Sequence, residues 1–221
     1  MQTAGGTTLS EDTQPDTTET GDSVPDTDPT DRTPVQERPR RRGLVLAAYL
    51  IAAFAIVLDQ VVKAWAVNNL DPDDPERILG GLVYLSLTWN PGAAFSIATD
   101  YTWVLAIIAT AVVVFLIVLA RKILYPAWSI AIGLVLGGAA GNLIDRFFRS
   151  PSDVSSPLDG NLGQGHVVDY ISVFQPYGEV FAIFNLADSA LCCGVVLIVL
   201  LELTGHGFSP ESRRPKSEQS E

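Results

Sequence analysis

The sequence predicts an α-helical membrane protein with four transmembrane helices, small β-prone elements in its extracytoplasmic loops, and a disordered N-terminal tail. Three observations predict it. Four apolar stretches are each long enough to cross a bilayer, which takes about 20 helical residues. Basic residues cluster at alternate ends of those stretches. Residues 1–37, by contrast, are rich in Thr, Asp, Glu and Pro and hold no aromatic residue. The formal net charge is −11 although 48% of residues are hydrophobic. The two figures describe different parts of the chain.

The head comes first. Its acids are Glu11, Asp12, Asp16, Glu19, Asp22, Asp26, Asp28, Asp31 and Glu37, against the single cation Arg32. Such a segment cannot bury enough apolar surface to offset its ordering entropy, so disorder is expected. Residues 1–42 are read as an acidic cytoplasmic tail ending in the basic cluster Arg38, Arg40, Arg41 and Arg42. A membrane domain is expected over residues 43–204 and a second disordered cytoplasmic tail over residues 205–221.

The expected spans are residues 43–66, 103–120, 124–144 and 181–203. Each is apolar all round, as a lipid-embedded helix should be. The arginine cluster precedes the first span, Arg121 and Lys122 link the second to the third, and Arg213, Arg214 and Lys216 follow the fourth. These three clusters fall on one side, which is therefore expected to be cytoplasmic, with both termini there. A cleavable signal peptide is the rival for the first span. Its apolar run is too long for that, and Asp59 and Lys63 sit where a signal core is usually neutral.

Two longer loops, residues 67–102 and 148–180, then lie outside. Residues 82–89 are β-prone, Asn90-Pro91-Gly92 reads as a turn, and residues 166–174 are again β-prone with Val167, Asp169, Ile171 and Val173 on one face. Residues 151–165 read as irregular. Cys192 and Cys193 are adjacent and cannot pair with each other; they read as small buried apolar residues. No His-Glu-x-x-His or Cys-x-x-Cys spacing occurs, which argues against a zinc protease.

Polar residues gather at one face. Asp59 and Lys63 lie near the outer end of the first span, Asn142, Asp145 and Arg146 at that of the third, and Asn185 and Asp188 at that of the fourth. Asn90 and Asp169 come from the outer loops. Separations of three and four residues place such side chains together on a helix. The bland readings are an intrahelical ion pair for Asp59 and Lys63, loop or headgroup contacts for Asp145 and Arg146, and mutual satisfaction of Asn142 and Asn185. Asp188 resists a bland reading. It has no cation within four residues, and a carboxylate inside a membrane helix costs roughly 2.5–3.5 kcal/mol, so it marks a functional site. With Asp169 it suggests a carboxylate pair. Two acids close together in a poorly solvated site share a proton, leaving one to act as base and one as acid, and such a pair needs no metal or organic cofactor.

At these residues the chain resembles the lipoprotein signal peptidases, or signal peptidase II. The match is carried by Leu58-Asp59-Gln60-Val61-Val62-Lys63, by Asn90-Pro91-Gly92-Ala93-Ala94-Phe95-Ser96, by Gly137 through Arg146, and by Val167-Val168-Asp169-Tyr170 with Phe184-Asn185-Leu186-Ala187-Asp188. It covers about residues 44–203. Pro91 and the long irregular stretch over residues 148–165 stand apart from the family pattern. The resemblance implies a four-span aspartic endopeptidase of the bacterial cytoplasmic membrane that removes signal peptides from prolipoproteins, cutting before a diacylglyceryl-modified cysteine. It implies Asp169 and Asp188 as the catalytic dyad, near the outer membrane face. Asn142, Arg146, Asn185 and Asn90 would line the site or bind substrate, and Asp59, Lys63 and Asp145 would support it. Implied partners are prolipoproteins, membrane lipids and globomycin-type inhibitors. Neither nucleic acid nor a second copy of the chain is indicated. A proton-coupled transporter is the alternative from another class, but transporters place acids near midplane. A membrane assembly factor would explain buried Asn and Asp as helix glue, but not Asp169 outside the helices.

Overall fold

A computed structural model describes residues 38–92, 102–150 and 162–208. Residues 1–37 and 209–221 of the two expected tails, the second half of the Asn90–Ser96 motif, and most of the irregular stretch after Ser150 lie outside those residues, whereas Arg38 to Arg42, expected in the first tail, begin the first helix. Four helices form the body: α1 (Arg38–Asn69), α2 (Thr102–Ala120), α3 (Pro126–Phe148) and α4 (Leu186–Leu203). All four are long and apolar enough to cross a membrane. The shortest, α4 with 18 residues, reaches roughly 27 Å at about 1.5 Å per residue.

Helix α3 is the central one and packs against the other three. Its small residues permit this. A Cβ added at Gly137 would stand 2.7 Å from the Ala55 Cβ and 2.9 Å from the Ala52 carbonyl of α1, and one at Gly138 would collide with the Ala187 carbonyl of α4. The outward faces of the other helices carry large apolar side chains such as Phe54, Val61, Ile107, Phe115 and Val196, all exposed. In a bilayer these meet acyl chains, while the backbone polar groups of each helix interior bond along the helix itself.

The helix starts depart from the sequence-based bounds for local reasons. Helix α3 begins at Pro126, whose missing N–H costs nothing in a first turn, and runs on through Asn142, Asp145 and Arg146 to Phe148. Helix α4 begins at Leu186 rather than near 181. Asn185 caps it, accepting from the Asp188 N–H while the Asp188 side chain accepts from the Asn185 N–H. The residue before the cap is held extended instead: Phe184 exchanges backbone hydrogen bonds of 2.8 and 3.0 Å with Ile171.

Outside the helices lies a three-stranded antiparallel sheet in the order β1 (Glu76–Ile78), β2 (Val83–Asn90) and β3 (Val167–Val173). The two β-prone stretches are β2 and β3; β1 gave no sequence signal, being three residues of a charged segment. Leu87, Val168 and Tyr170 of the sheet pack with Ala66 and Leu70 at the end of α1, which seats the sheet on the helices. Cys192 and Cys193 are free, as expected, but both are exposed rather than buried. Helix α4 is largely uncovered, so two neighbouring positions on it cannot both face α3.

Candidate active site

One residue of register decides how the outer loops meet. Leu85 of β2 faces Ile171 of β3, but Thr88 faces Asp169, so Ser86 and Leu87 together oppose Tyr170. This bulge changes which β2 side chains share a face with Asp169. Unbulged pairing would put Asp169 opposite Leu87 and on the face of Trp89. The bulge puts it opposite Thr88 and diagonal to Asn90, on their face. Asn90 Nδ2 accordingly donates to Asp169 Oδ2 at 2.9 Å.

The second half of the site comes from α4. Because Phe184 is bridged to Ile171, the cap residue Asn185 arrives beside β3. Its Nδ2 donates to Asp169 Oδ1 at 2.7 Å. One turn into the helix, Asp188 Oδ2 accepts from the Asn185 N–H at 3.1 Å, and its Oδ1 accepts from Asn142 Nδ2 of α3 at 2.7 Å. The two amides also meet, Asn185 Nδ2 donating to Asn142 Oδ1 at 3.1 Å. Asp169 and Asp188 thus line one cavity of about 780 Å3, with Asn90, Asn142 and Arg146 in its wall.

Each of the three asparagines is locked in one orientation. An amide can turn either its oxygen or its NH2 to a neighbour, and only the surrounding hydrogen bonds choose. Asn90 Oδ1 accepts from the Gly92 N–H at 3.0 Å, Asn185 Oδ1 from the Asp188 N–H at 3.0 Å, and Asn142 Oδ1 from Lys63 Nζ at 2.8 Å. All three donors lack an acceptor function, so each oxygen is held and each NH2 is left to face a carboxylate.

Lys63 is fully buried and meets three acceptors with its three N–H groups: Asn142 Oδ1, Asp59 Oδ2 at 3.0 Å and Asp145 Oδ2 at 2.7 Å. A buried ammonium requires that degree of pairing. Asp59 Oδ1 accepts from the Ala187 N–H at 3.0 Å, tying α1 to the first turn of α4. Asp145 Oδ2 also accepts from the Val168 N–H at 3.3 Å, which sets β3 against α3 next to Asp169. Arg146 donates to the Gly92 carbonyl at 2.8 Å and reaches the Pro91 carbonyl at 3.4 Å, so it holds the turn that orients Asn90.

Two members of this network were not singled out from sequence. Gln60 repeats the amide chemistry: its Nε2 donates to the Gly141 carbonyl at 3.1 Å and to Asp145 Oδ1 at 3.2 Å. Arg149 pairs with Asp145 at 3.0 Å and with Gln60 Oε1 at 3.1 Å. Arg149 was findable, standing four residues after Asp145 at the C-cap of α3. Gln60 carried no signal beyond its place between Asp59 and Lys63.

The carboxyl group of Asp169 is pushed up to about 7. Burial is the main cause and the charge of Asp188 adds to it, against the lowering effect of the Asn90 and Asn185 hydrogen bonds. A carboxyl that keeps its proton close to neutrality, beside a second carboxyl at a helix N-terminus where negative charge is favoured, can work as an acid and base pair.

Known proteins share this arrangement of sequence and fold. Residues 51–204 match the family described as signal peptidase (SPase) II. The lipoprotein signal peptidase of Mycobacterium avium (strain 104) is 44% identical over 193 residues, which cover 87% of this chain and 97% of that protein. That of Mycobacterium tuberculosis (strain ATCC 25618 / H37Rv) is 43% identical over 176 residues, 80% of this chain and 79% of that one. A solved structure described as a bacterial membrane enzyme, determined by the in meso method at 2.3 Å, superposes with a TM-score of 0.59 at 29% identity, covering 72% of this chain and 88% of that chain. With its match running from the first helix to the end of the fourth, the chain belongs to the signal peptidase II family.

Proposed function

We propose that this protein is an intramembrane aspartic endopeptidase that removes signal peptides from diacylglyceryl-modified prolipoproteins, cutting before the lipidated cysteine. One observation carries the reading: Asp169 and Asp188 open on a single cavity and are braced by three asparagines whose NH2 groups all point at them. Family membership supports the substrate class.

In the proposed reaction Asp169 holds the shared proton and Asp188 the negative charge. A water between them gives a proton to Asp188 as its oxygen attacks the scissile carbonyl carbon. The Asp169 O–H hydrogen-bonds the carbonyl oxygen and transfers its proton as the tetrahedral intermediate forms. The C–N bond then breaks. The leaving amine takes the proton from Asp188, the new carboxylic acid returns one to Asp169, and the dyad is restored. Asn90, Asn142 and Asn185 keep both carboxyl groups in place through this cycle. Lys63, Asp59 and Asp145 act at one remove, by holding the amides and the strand.

The membrane setting fits the substrate. The cavity lies at one end of the helix bundle, where a lipid-modified cysteine presents its scissile bond without leaving the leaflet. We place that end at the outer face of the bacterial cytoplasmic membrane and both termini inside, from the distribution of basic residues. On this reading residues 43–204 carry the peptidase and the two tails flank it.

The test is processing by the purified protein of one precursor in lipidated and unlipidated form. Cleavage of the lipidated form alone, blocked by globomycin, is the expected result. Equal cleavage of both forms would remove the substrate assignment.

A further inference from the structure

A second cavity, of about 510 Å3, lies at the opposite end of the bundle. Its rim carries Arg41, Arg42 and Arg121, and its floor is Val45, Leu46 and Tyr49. Arg42 and Lys63 are 21 residues apart on the same helix, which is roughly 31 Å at about 1.5 Å per residue. That is about one hydrocarbon thickness, so this cavity and the dyad belong to opposite membrane surfaces.

The arginines are brought together by a specific contact. Arg41 donates from Nε and Nη2 to the Arg121 carbonyl at 3.2 and 3.0 Å, which joins the start of α1 to the end of α2. Tyr49 does the same one turn deeper, its hydroxyl donating to the Ile117 carbonyl at 2.9 Å. Among the described residues, neither the Arg42 nor the Arg121 guanidinium meets an acceptor. No acid occurs anywhere in residues 38–58 or 103–144. Glu202, the acid at this end of α4, is not in the cavity wall. Among the described residues three cations therefore converge with no carboxylate in the cavity wall, an arrangement that favours an anion between them.

We propose that this cavity binds the headgroup of an anionic phospholipid, with the phosphate between Arg42 and Arg121 and an acyl chain along Leu46 and Tyr49. The floor selects lipid over free phosphate. Leu46 is 57% exposed, and an inorganic anion would leave that surface uncovered. Basic pockets between membrane helices suit such headgroups. This site is independent of the peptidase chemistry.

The experiment is a titration of the full-length protein in detergent with phosphatidylglycerol or phosphatidylcholine of matched chains, with bound lipid counted by native mass spectrometry. One phosphatidylglycerol should bind in preference to phosphatidylcholine. Arg42→Gln and Arg121→Gln should each weaken it by about fivefold. Lys122→Gln removes an equal charge beside the cavity but not in its wall, and should leave binding within about twofold of the parent. All three variants should cleave precursor normally, which shows that they are folded. Equal weakening by Lys122→Gln would mean diffuse surface attraction and overturn the proposal. So would equal binding of phosphatidylcholine, or displacement of the lipid by excess inorganic phosphate.

Discussion

Asn142 has two faces, and Lys63 decides which of them meets Asp188. The sequence marks both as polar residues in helices and offers mutual satisfaction as a sufficient reason for them. It cannot say that the amide is aimed, because the donors that aim it lie 79 residues away for Asn142 and in a backbone turn for Asn90. Asp59 with Lys63 was legible as an intrahelical pair; that Asp145 completes the ammonium's shell was not. Lys63→Met should therefore leave the buried Asp59 carboxylate without a cation and Asp145 with Arg149 alone. A loss of about 3–5 kcal/mol of stability is expected, read as a lowered unfolding midpoint in detergent, together with reduced turnover of the fraction still folded. The pH profile tests the assignment of the proton. Asp169 keeps its proton up to about 7, well above the ordinary carboxylate range, so activity that needs the protonated form should fall as pH rises through about 7. The same shift has a stability consequence of defined sign. The native state holds this proton more tightly than the unfolded chain, so its contribution is present at low pH and is lost as pH rises through the native value. Asp169→Asn should flatten that part of the stability profile.

At the scale of elements, length and hydropathy made the helices plain, and alternation located β2 and β3. What they could not supply was the register. The bulge at Ser86 and Leu87 follows from no pattern in those residues, yet it sets which face Asn90 shares with Asp169. Asn90→Ala should leave the pairing unchanged, strip Asp169 Oδ2 of its amide donor and reduce cleavage by about one to two orders of magnitude, the scale of losing one supporting hydrogen bond at a charged site. Retained activity in an Asn90→Ala variant whose sheet is intact would mean that Asn90 is dispensable. Helix α3 makes a different demand, for close approach. Gly138→Val would drive a side chain into the Ala187 backbone in the turn that begins α4, next to Asp188. The expected cost is about 1–3 kcal/mol or more, since backbone rather than a flexible side chain must yield, and thermal unfolding measures it. The start of α4 was placed too early from sequence because an apolar run does not reveal where strand pairing stops it. Asn185 with Asp188 three residues later held the cap signature that corrects it.

For the whole molecule, the net charge and the proposed catalytic end separate cleanly. The acids of the head contribute most of the net charge, whereas the dyad depends on groups between Asp59 and Asp188. Removing residues 1–37 should leave cleavage unchanged in a purified assay, and a large loss would give the head a role in the reaction. The two ends of the helices likewise carry different chemistry among the described residues: oriented amides and buried carboxylates at one, guanidinium groups without a carboxylate partner at the other. The measurement that bears most directly on this account is turnover of a diacylglyceryl-modified prolipoprotein by Asp169→Asn and by Asp188→Asn, each purified and shown to be folded. Neither substitution should leave detectable cleavage, because each removes a proton-transfer group while keeping the shape of the cavity. Cleavage by either variant at a rate near that of the parent would contradict the dyad.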